Sequence, residues 1–512
     1  MTFNKFFSGA AVASLMGLGA LGTSSCQKDF IELDDPTRIP TADSYTDSLS
    51  VFNGVTAAYS SLQDLYGRGG GSRGWFIFAE IPSDNSYTVT SGERLNEFND
   101  FTLFADNQHI QSYWLSTYRT IARCNLILSR AGGVKLTDAT RNRYYGEVRF
   151  IRALAYFNAV RIWGKIPLVT QEIQSIQDAY PFGRAAVEDV YIQIEKDLDF
   201  AEKNLPVTQT GNNLGRATKG AATALFGKVL LTQQKYQAAA DKLALLATGS
   251  TYALQATYAN IFATNNEMNS EIIFAARYTK GTLGLGSAFT TWFMPAYGTT
   301  QSTALLGAAF TGQQFNTVDN DLIAAFTASS ASTPTLPDLR AATSYVLPAG
   351  AATTLGYYTK KYIDTPTSAT DAENDWIVLR QADVLLMYAE AVNEASGPTA
   401  PALTAVNQVI RRSRGLPVAT ANAAVDLPAA TTQTALRDRI ELERRLELNF
   451  EGHRWFDLVR TGRAIAVMNA YFIRTAAAGT TPNKIDQDDL LFPIPVQEIQ
   501  TNPILTQNNG YK

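Results

Sequence analysis

The sequence predicts a mainly α fold built from tetratricopeptide-like helix hairpins, joined to a large irregular, loop-rich portion with minor β strands. Three observations support this prediction. Apolar residues recur with helical spacing in several long stretches of the chain. Residues 219–247 have the spacing of a tetratricopeptide hairpin, and residues 377–414 contain a similar one. Residues 250–375 have little helical periodicity and are rich in Thr, Ala, Gly and Ser, which excludes a fold made only of repeats.

The composition indicates a large, mildly acidic globular body. Hydrophobic residues make up 46% of the 512 residues, which provides ample apolar surface for a large core. The formal net charge is −4, and removal of residues 1–25 makes it more negative by one unit, because that stretch contains Lys5 and no acidic residue. This balance gives no basis for nucleic-acid binding.

The amino terminus has the features of a lipoprotein signal. Lys5 precedes the apolar run Phe6–Leu21, which small residues and then Cys26 follow. The run is too short, and too interrupted by serines, to be a membrane span. The alternative to a lipoprotein signal is an ordinary signal peptide that is followed by chance by a cysteine. We expect residues 1–25 to be removed and Cys26 to be acylated. Cys124 is then the only free thiol, and no intramolecular disulfide can form.

The rest of the chain divides into a tether, a helical core and a tail. Residues 26–45 predict the lipidated N-terminus and an extended tether, because they contain Pro36 and Pro40. Periodicity predicts the helices Thr46–Leu65, Ile110–Arg130, Glu147–Trp163, Val187–Leu205, the hairpin Lys219–Ala247, and the pair Ile377–Asn393 and Ala402–Arg414. Residues 46–512 are therefore predicted to form one domain. Its helical repeat core covers residues 46–249 and 376–460, and the irregular insertion at 250–375 contains a strand at Ile272–Ala276. Residues 464–512 are predicted to form a C-terminal strap.

One predicted helix, ending at Gly452, carries charges on its apolar face. Its apolar stripe consists of Leu436, Ile440, Leu442, Leu446 and Phe450. Arg439, Glu443 and Glu447 project into the same stripe, where charges are costly unless they are paired. Acid/base catalysis would be the functional explanation, but the acids alternate with arginines and no nucleophile or metal ligand accompanies them. We therefore predict a structural ion-pair lattice of Arg439, Glu443 and Glu447, with both carboxylates buried and with Arg380 and Arg411 as further candidate partners.

The same stretch resembles a known family. Residues 443–460, ERRLELNFEGHRWFDLVR, are similar to the C-terminal signature of the SusD/RagB family, whose members are surface lipoproteins that bind nutrients for an outer-membrane transporter. Residues 149–157, RFIRALAYF, and 492–495, FPIP, resemble two further motifs of that family. Residues 27–29, QKD, are similar to the export tag of such lipoproteins. The sequence is identified as a member of this family.

The resemblance implies a protein of the outer membrane, lipid-anchored and facing the cell exterior. Such a protein binds oligosaccharides or peptides and delivers them to a SusC-like TonB-dependent transporter. The resemblance implies no cofactor and no enzymatic activity. Two alternatives stay open. One is a secreted surface hydrolase such as a glycosidase, which needs only two suitably spaced carboxylates. The other is a non-catalytic helical-repeat scaffold.

No motif of familiar spacing predicts a metal or catalytic site. The two histidines and the absence of a closely spaced cysteine pair argue against zinc. Asp371, Glu373 and Asp375 could hold calcium, but they lack the glycine and distal glutamate of a calcium loop. A solvated acidic turn is the simpler interpretation of these three residues.

Two loop regions contain residues suited to ligand binding. Aromatic faces stack on sugars, while amide and charged side chains satisfy hydroxyl groups. For stacking we predict Trp75, Tyr87, Trp292, Phe293 and Tyr297, and for polar contacts Asp84, Asn85 and Arg94. No family motif covers these positions, and ordinary core packing is the alternative for each ring.

Overall fold

A computed structural model describes residues 45–68, 73–88 and 92–511. The predicted acylation site Cys26 and nearly all of the tether lie outside the described residues, so lipidation stays a prediction. Within the described ranges the fold is mainly α, as predicted. None of the helices described there is both long and apolar enough to cross a membrane.

The described residues form nineteen α-helices. In chain order they are α1 (Ser48–Tyr66), α2 (Phe76–Ala79), α3 (Asn96–Asp100), α4 (Gln108–Arg130), α5 (Asp138–Trp163), α6 (Ile176–Ala179), α7 (Val187–Asn204), α8 (Lys219–Thr232), α9 (Tyr236–Ala247), α10 (Phe289–Phe293), α11 (Thr299–Leu306), α12 (Asn320–Ala331), α13 (Ala341–Ser344), α14 (Gln381–Ser396), α15 (Ala400–Ser413), α16 (Gln433–Glu447), α17 (Arg454–Arg460), α18 (Ala464–Thr475) and α19 (Val496–Thr501).

The strands of the described residues form three two-stranded antiparallel sheets. The strands are β1 (Ser86–Tyr87), β2 (Ile166–Pro167), β3 (Arg184–Ala185), β4 (Ile272–Ala276), β5 (Thr317–Val318) and β6 (Trp376–Arg380). β1 pairs with β5, β2 with β3, and β4 with β6. The predicted strand Ile272–Ala276 is therefore confirmed, and its partner comes from the far end of the insertion.

The long helices form one continuous array. α1 packs against α4, α4 against α5, α5 against α7, α7 against α8, and α8 against α9. α9 then packs against α14, which in turn contacts α15 and α16. The array thus continues across the insertion that separates α9 from α14 in the sequence.

The predicted tetratricopeptide-like hairpin is formed by α8 and α9. Its helices cross closely at Gly227, where an added Cβ would lie 2.4 Å from side-chain carbons of Leu243. The turn between the helices includes Gln234, whose φ of 57° lies in the left-handed region that glycine adopts most easily. Gln234 thus replaces the glycine that the repeat prefers at this turn, but the backbone keeps a conformation typical of glycine.

Three predicted boundaries are wrong. Ile377 belongs to β6, because residues 376–380 pair with β4 before α14 begins. α16 ends at Glu447, since Phe450 and Gly452 have φ values of 61° and 79° that turn the chain before α17. Residues 464–475 form α18 rather than the start of a strap, and this helix buries Met468, Tyr471 and Phe472 on one side.

Candidate functional site

α16 places two glutamates in the core of the molecule. Glu443 is fully buried and pairs with Arg340 and with Arg439, each at 2.8 Å. Glu447 is also fully buried and pairs with Arg340 at 3.2 Å. Both carboxylates are thus held by arginines in the interior, which is the arrangement that the charged stripe of this helix predicts.

The partners of Glu447 differ in part from those proposed above. Arg380 pairs with Glu447 at 2.6 Å, and Arg412 also donates to this carboxylate. Arg411 instead pairs with Asp426 at 2.6 Å. Arg340 and Arg412 lie far from α16 in sequence, so spacing within one helix could not identify them. We call Arg340, Arg380, Arg412, Arg439, Glu443 and Glu447 the ion-pair lattice; all are buried except Arg439, whose side chain is 23% exposed.

The ion-pair lattice keeps Glu447 ionised. Burial alone would raise the pKa of Glu447, but Arg412, Arg380 and Arg340 together hold it well below its ordinary value. A general acid needs a proton that it can donate near neutral pH, and a general base needs a free lone pair. Glu447 is ionised, fully buried and bonded to three guanidinium groups, so it has no proton to donate and no substrate can reach it, and we interpret the lattice as structural.

The same C-terminal signature holds two residues that the sequence suggested as ligand contacts. Arg454 donates two hydrogen bonds to the Asp84 carboxylate, at 2.7 and 2.9 Å. Arg445 donates from Nε to Asn85 Oδ1 at 2.8 Å and pairs with Asp321 at 2.9 Å. Because Asp84 and Asn85 are buried and bonded inside the protein, they are not rim contacts. They fix the position of β1, which begins at the next residue.

Three of the predicted stacking rings are core residues. Trp75 is 3% exposed, stacks on Phe456 with centroids 4.8 Å apart, and donates from Nε1 to the Gly452 carbonyl at 2.9 Å. Phe293 is buried, and Trp292, also buried, lies under the Arg73 guanidinium at 4.9 Å. The prediction that they form an exposed platform is therefore corrected. Burial of such a large ring stabilises the fold by about 1.5–3 kcal/mol, so these rings pack inside although the sequence around them is typical of loops.

Arg94 lies at the surface, but its charge is used locally. It pairs with Glu97 at 2.5 Å and with Asp106 at 2.8 Å. Its φ of 58° places it in the left-handed region. Its guanidinium is thus engaged by two nearby carboxylates rather than free for a ligand.

The remaining two predicted rings meet at one point of the structure. The Tyr297 hydroxyl donates to the Gly356 carbonyl at 2.8 Å. The Tyr87 hydroxyl packs on the same glycine, since an added Cβ at Gly356 would lie 2.6 Å from it. Tyr87 is half-buried on β1, whereas Tyr297 is buried at 5% exposure, so the prediction that the Tyr297 ring stacks on a ligand is wrong and this ring supports the site from inside. The two loop regions that the sequence indicated therefore do converge.

Two further tyrosines complete the cluster. Tyr357 forms a β-bridge with Val318 of β5, next to the Tyr87–Thr317 pair. Tyr345 meets Tyr357 edge to face, with ring centroids 5.7 Å apart. Both rings are half-buried. We call Tyr87, Tyr297, Tyr345 and Tyr357 the tyrosine surface. Sequence reasoning missed the last two, although the aromatic run at 357–362 was an available signal.

The tyrosine surface is rigid and rich in hydroxyl groups. Burial raises the pKa of Tyr297, and Tyr87 and Tyr357 lie close enough to raise it further. A phenol hydroxyl can both donate and accept hydrogen bonds. The β1–β5 pair and the bridge to Tyr357 fix the backbone that carries them. The arrangement suits recognition of a polyhydroxylated ligand by stacking and hydrogen bonding.

Asp319, which lies near Tyr87, and Asp371, elsewhere in the insertion, are both engaged in structural bonds. Asp319 caps α12 through the Asp321 amide at 2.8 Å and accepts from the Tyr471 hydroxyl at 2.7 Å. Asp371 accepts from the Gly281 and Thr282 amides. In the described part of the chain, no group of three His, Cys, Asp or Glu side chains is placed to hold a metal ion.

Comparison with known proteins gives SusD-related matches over most of the chain. A profile described as the SusD family matches residues 270–511, and one described as "Starch-binding associating with outer membrane" matches residues 54–231. The SusD-like protein P25 of Formosa agariphila is 29% identical over 95% of this chain and 97% of its own length. The starch-binding protein SusD of Bacteroides thetaiotaomicron is 24% identical over 99% of both chains. The solved structure of a laminarin-binding SusD-like protein superposes with a TM-score of 0.73 at 29% identity, covering 91% of this chain and 100% of that one.

Proposed function

Because the chain belongs to the SusD family, we propose that it is a surface glycan-binding protein that delivers oligosaccharides to a SusC-like TonB-dependent outer-membrane transporter. The single observation that carries the binding role is the tyrosine surface. It gathers four phenol rings from three separate segments around Gly356. Similarity to a laminarin-binding protein supports a glycan as the ligand rather than a peptide.

The chemistry of the tyrosine surface favours a neutral sugar chain. Tyr87, Tyr345 and Tyr357 keep part of their area accessible, so each can lay a ring face or edge against a sugar. The charged group nearest in sequence to Tyr87 is Asp84, which is already paired with Arg445 and Arg454 within the protein. Stacking and hydroxyl contacts therefore carry more of the recognition than ionic contacts.

Binding without bond cleavage fits the state of the carboxylates. Glycoside hydrolysis needs one carboxyl group that donates a proton and a second that acts as base or nucleophile. Asp84 has a pKa that burial would raise, but Arg445 and Arg454 hold it well below its usual range. Asp319 is committed to capping α12. We infer that the protein binds its ligand and releases it intact.

The transport role rests on the family and on the lipoprotein signal. A binding protein acylated at Cys26 would hold captured oligosaccharides close to the membrane that contains the transporter. Purification from detergent-solubilised outer membrane, with a tag at the C-terminus, should recover a large β-barrel partner. A Cys26→Ser variant is the control for the anchor, and failure of the acylated protein to recover any barrel would refute the transport role.

The binding role is tested separately with the mature, unlipidated chain from residue 27. Calorimetric titration with soluble neutral oligosaccharides, including laminarihexaose and maltohexaose, should give saturable binding of at least one. Tyr87→Ala and Tyr357→Ala should each lower the affinity by about 1–3 kcal/mol, the amount lost with a stacking ring and its hydroxyl. Phe104→Ala, which removes an exposed ring outside the tyrosine surface, should leave the affinity unchanged.

A further inference from the structure

An apolar groove lies at the N-terminal half of α4, away from both the ion-pair lattice and the tyrosine surface. It encloses about 230 Å³, and its walls come from four parts of the chain. Its lining includes Leu115, Tyr118, Ile173, Tyr180, Glu498 and Leu505. We call this the tail groove, because residues of the C-terminal tail form one wall.

The tail groove exposes more apolar surface than its surroundings require. Leu115 is 46% exposed and Tyr180 is 44% exposed, although both are large apolar or aromatic side chains. Ile504, close by against Gly183, is 52% exposed. Exposed apolar side chains gathered at one groove offer a surface on which another segment or molecule can pack.

The described chain begins beside one end of this groove. The Tyr45 ring packs against α1 at Gly54, where an added Cβ would lie 2.6 Å from the ring. The pKa of Tyr45 is raised by burial and is also affected by Arg130 and Glu172, an ion pair at 2.5 Å. Glu172 directly precedes Ile173, which lines the groove. The path from the first described residue to the groove is therefore short.

The preceding sequence has the length and composition to fill the groove. Phe30, Ile31 and Leu33 form the first apolar group after Cys26. Leu33 lies twelve positions before Tyr45, and an extended chain of that length spans about 40 Å. The distance along α4 from Arg130 to Leu115 is about 22 Å at the helical rise. The apolar group can therefore reach every part of the tail groove.

Covalent linkage decides between this occupant and others. A segment joined to the fold by a short linker has an effective concentration on the order of millimolar. A separate partner or a second copy would have to bind tightly enough to displace it. We propose that the tail groove is the docking site of residues 30–33 of the same chain, with Phe30, Ile31 and Leu33 covering Leu115 and Tyr180.

This contact would give the N-terminal anchor a defined place on the fold. Only four positions separate Cys26 from Phe30, a distance of at most about 14 Å when extended. The acylated end would thus leave the molecule next to the N-terminal half of α4 instead of from a long free tether. The inference does not depend on glycan binding, and it is testable in unlipidated protein.

Amide hydrogen exchange of the mature chain from residue 27 measures the contact directly. Residues 28–36 should exchange at least about tenfold more slowly than the same sequence in a free peptide. The double variant Leu115→Ser and Tyr180→Ser should return them to the free-peptide rate, and since both side chains are already about half exposed, the fold should survive. The matched control Leu245→Ser, at an exposed position of α9, should keep the protection.

A cross-linking experiment supplies the position. In the chain from residue 27, the pair Ile31→Cys and Leu115→Cys should be joined by a short bis-maleimide, whereas Ile31→Cys and Leu245→Cys should not. Cys124 does not compete, because it is buried and burial raises its pKa to about 12. Exchange at the free-peptide rate in the unmodified chain, or equal cross-linking of both pairs, would overturn the proposal. Protection that rises with protein concentration would assign the groove to a second copy and would also overturn it.

Discussion

The ion-pair lattice and the tyrosine surface use polar groups in opposite ways. In the lattice, Glu447 is fully buried and bonded to three arginines, so its charge is out of reach of a ligand. On the tyrosine surface, Tyr87, Tyr345 and Tyr357 keep part of their surface open. The two regions are connected, because Arg445 of α16 bonds Asn85 beside β1 and Asp321 at the start of α12. The comparison indicates that the charged signature holds the strands and that the neutral rings meet the ligand.

The largest effect is expected from breaking the lattice. Glu447→Ala leaves Arg340, Arg380 and Arg412 buried with one fewer counter-charge. Removal of one partner from a buried ion pair costs about 3–5 kcal/mol. Denaturant unfolding of the two proteins measures this difference. A loss below about 1 kcal/mol would contradict the interpretation that the lattice is a tightly coupled structural unit.

A second prediction concerns pH and the buried Glu80. Burial raises the pKa of Glu80 to about 8, against an ordinary value of 4.5, and the carboxylate accepts from the Gly452 amide at 2.6 Å. The folded state therefore binds a proton that the unfolded state releases between these values. The stability from this group is complete below about pH 4.5 and is lost as pH rises towards 8.

Glu80→Gln should remove this pH dependence, because the amide oxygen can keep the Gly452 bond without a proton to lose. The variant should gain stability relative to the unmodified protein as pH rises from 5 to 8, by at most about 1.4 kcal/mol per pH unit. Thermal unfolding at pH 5 and pH 8 measures the difference. Parallel losses in both proteins would show that Glu80 is not the titrating group.

The connection between the two regions gives a third prediction. Arg445→Met keeps most of the side-chain volume but removes its bonds to Asn85, Asp84 and Asp321. Asp84 keeps Arg454 and Asp321 keeps Arg474, but the buried Asn85 Oδ1 loses its donor, which should cost about 1–3 kcal/mol of stability. The substitution should also weaken glycan binding, since β1 is no longer fixed at Asn85. The affinity should be compared at a temperature where both proteins are folded. Equal affinity of Arg445→Met and the unmodified protein would contradict the claim that Arg445 supports the tyrosine surface.

The smallest effect is expected from a surface pair on the same helix. Arg437 pairs with Glu394 at 2.7 Å, but its side chain is 41% exposed. Such a pair contributes about 0–1 kcal/mol. Arg437→Ala should therefore lower the unfolding free energy far less than Glu447→Ala, although both remove an ion pair from α16. A loss of several kcal/mol of unfolding free energy in Arg437→Ala would mean that solvent exposure does not explain why the two ion pairs differ in strength.

Sequence reasoning succeeded where local spacing is decisive. The charged stripe of α16 predicted buried, paired glutamates, and helical periodicity located most long helices within a few residues. Long-range partners were harder, because nothing near α16 in sequence points to Arg340 or Arg412. The boundary at Ile377 was also missed, since an apolar run has no feature that separates a buried strand from a helix.

The candidate site was only half predictable. The two loop regions meet at Tyr87 and Tyr297, but Tyr297, like Trp75, Trp292 and Phe293, is buried. Whether an aromatic residue in a loop faces solvent depends on what packs over it. For Trp75 the cover is Phe456, and for Trp292 it is the Arg73 guanidinium. Neither contact follows from composition or spacing, so residue type alone could not distinguish the exposed aromatic residues from the buried ones.

The most direct test of the central claim is calorimetric titration of the mature protein and of Tyr357→Ala with the same neutral oligosaccharide panel. We predict saturable binding of at least one oligosaccharide, recovery of that ligand intact, and an affinity about 5- to 150-fold weaker in the variant. Binding that is unchanged in Tyr357→Ala and in Tyr87→Ala would contradict the assignment of the tyrosine surface. Release of shortened products would contradict binding without catalysis.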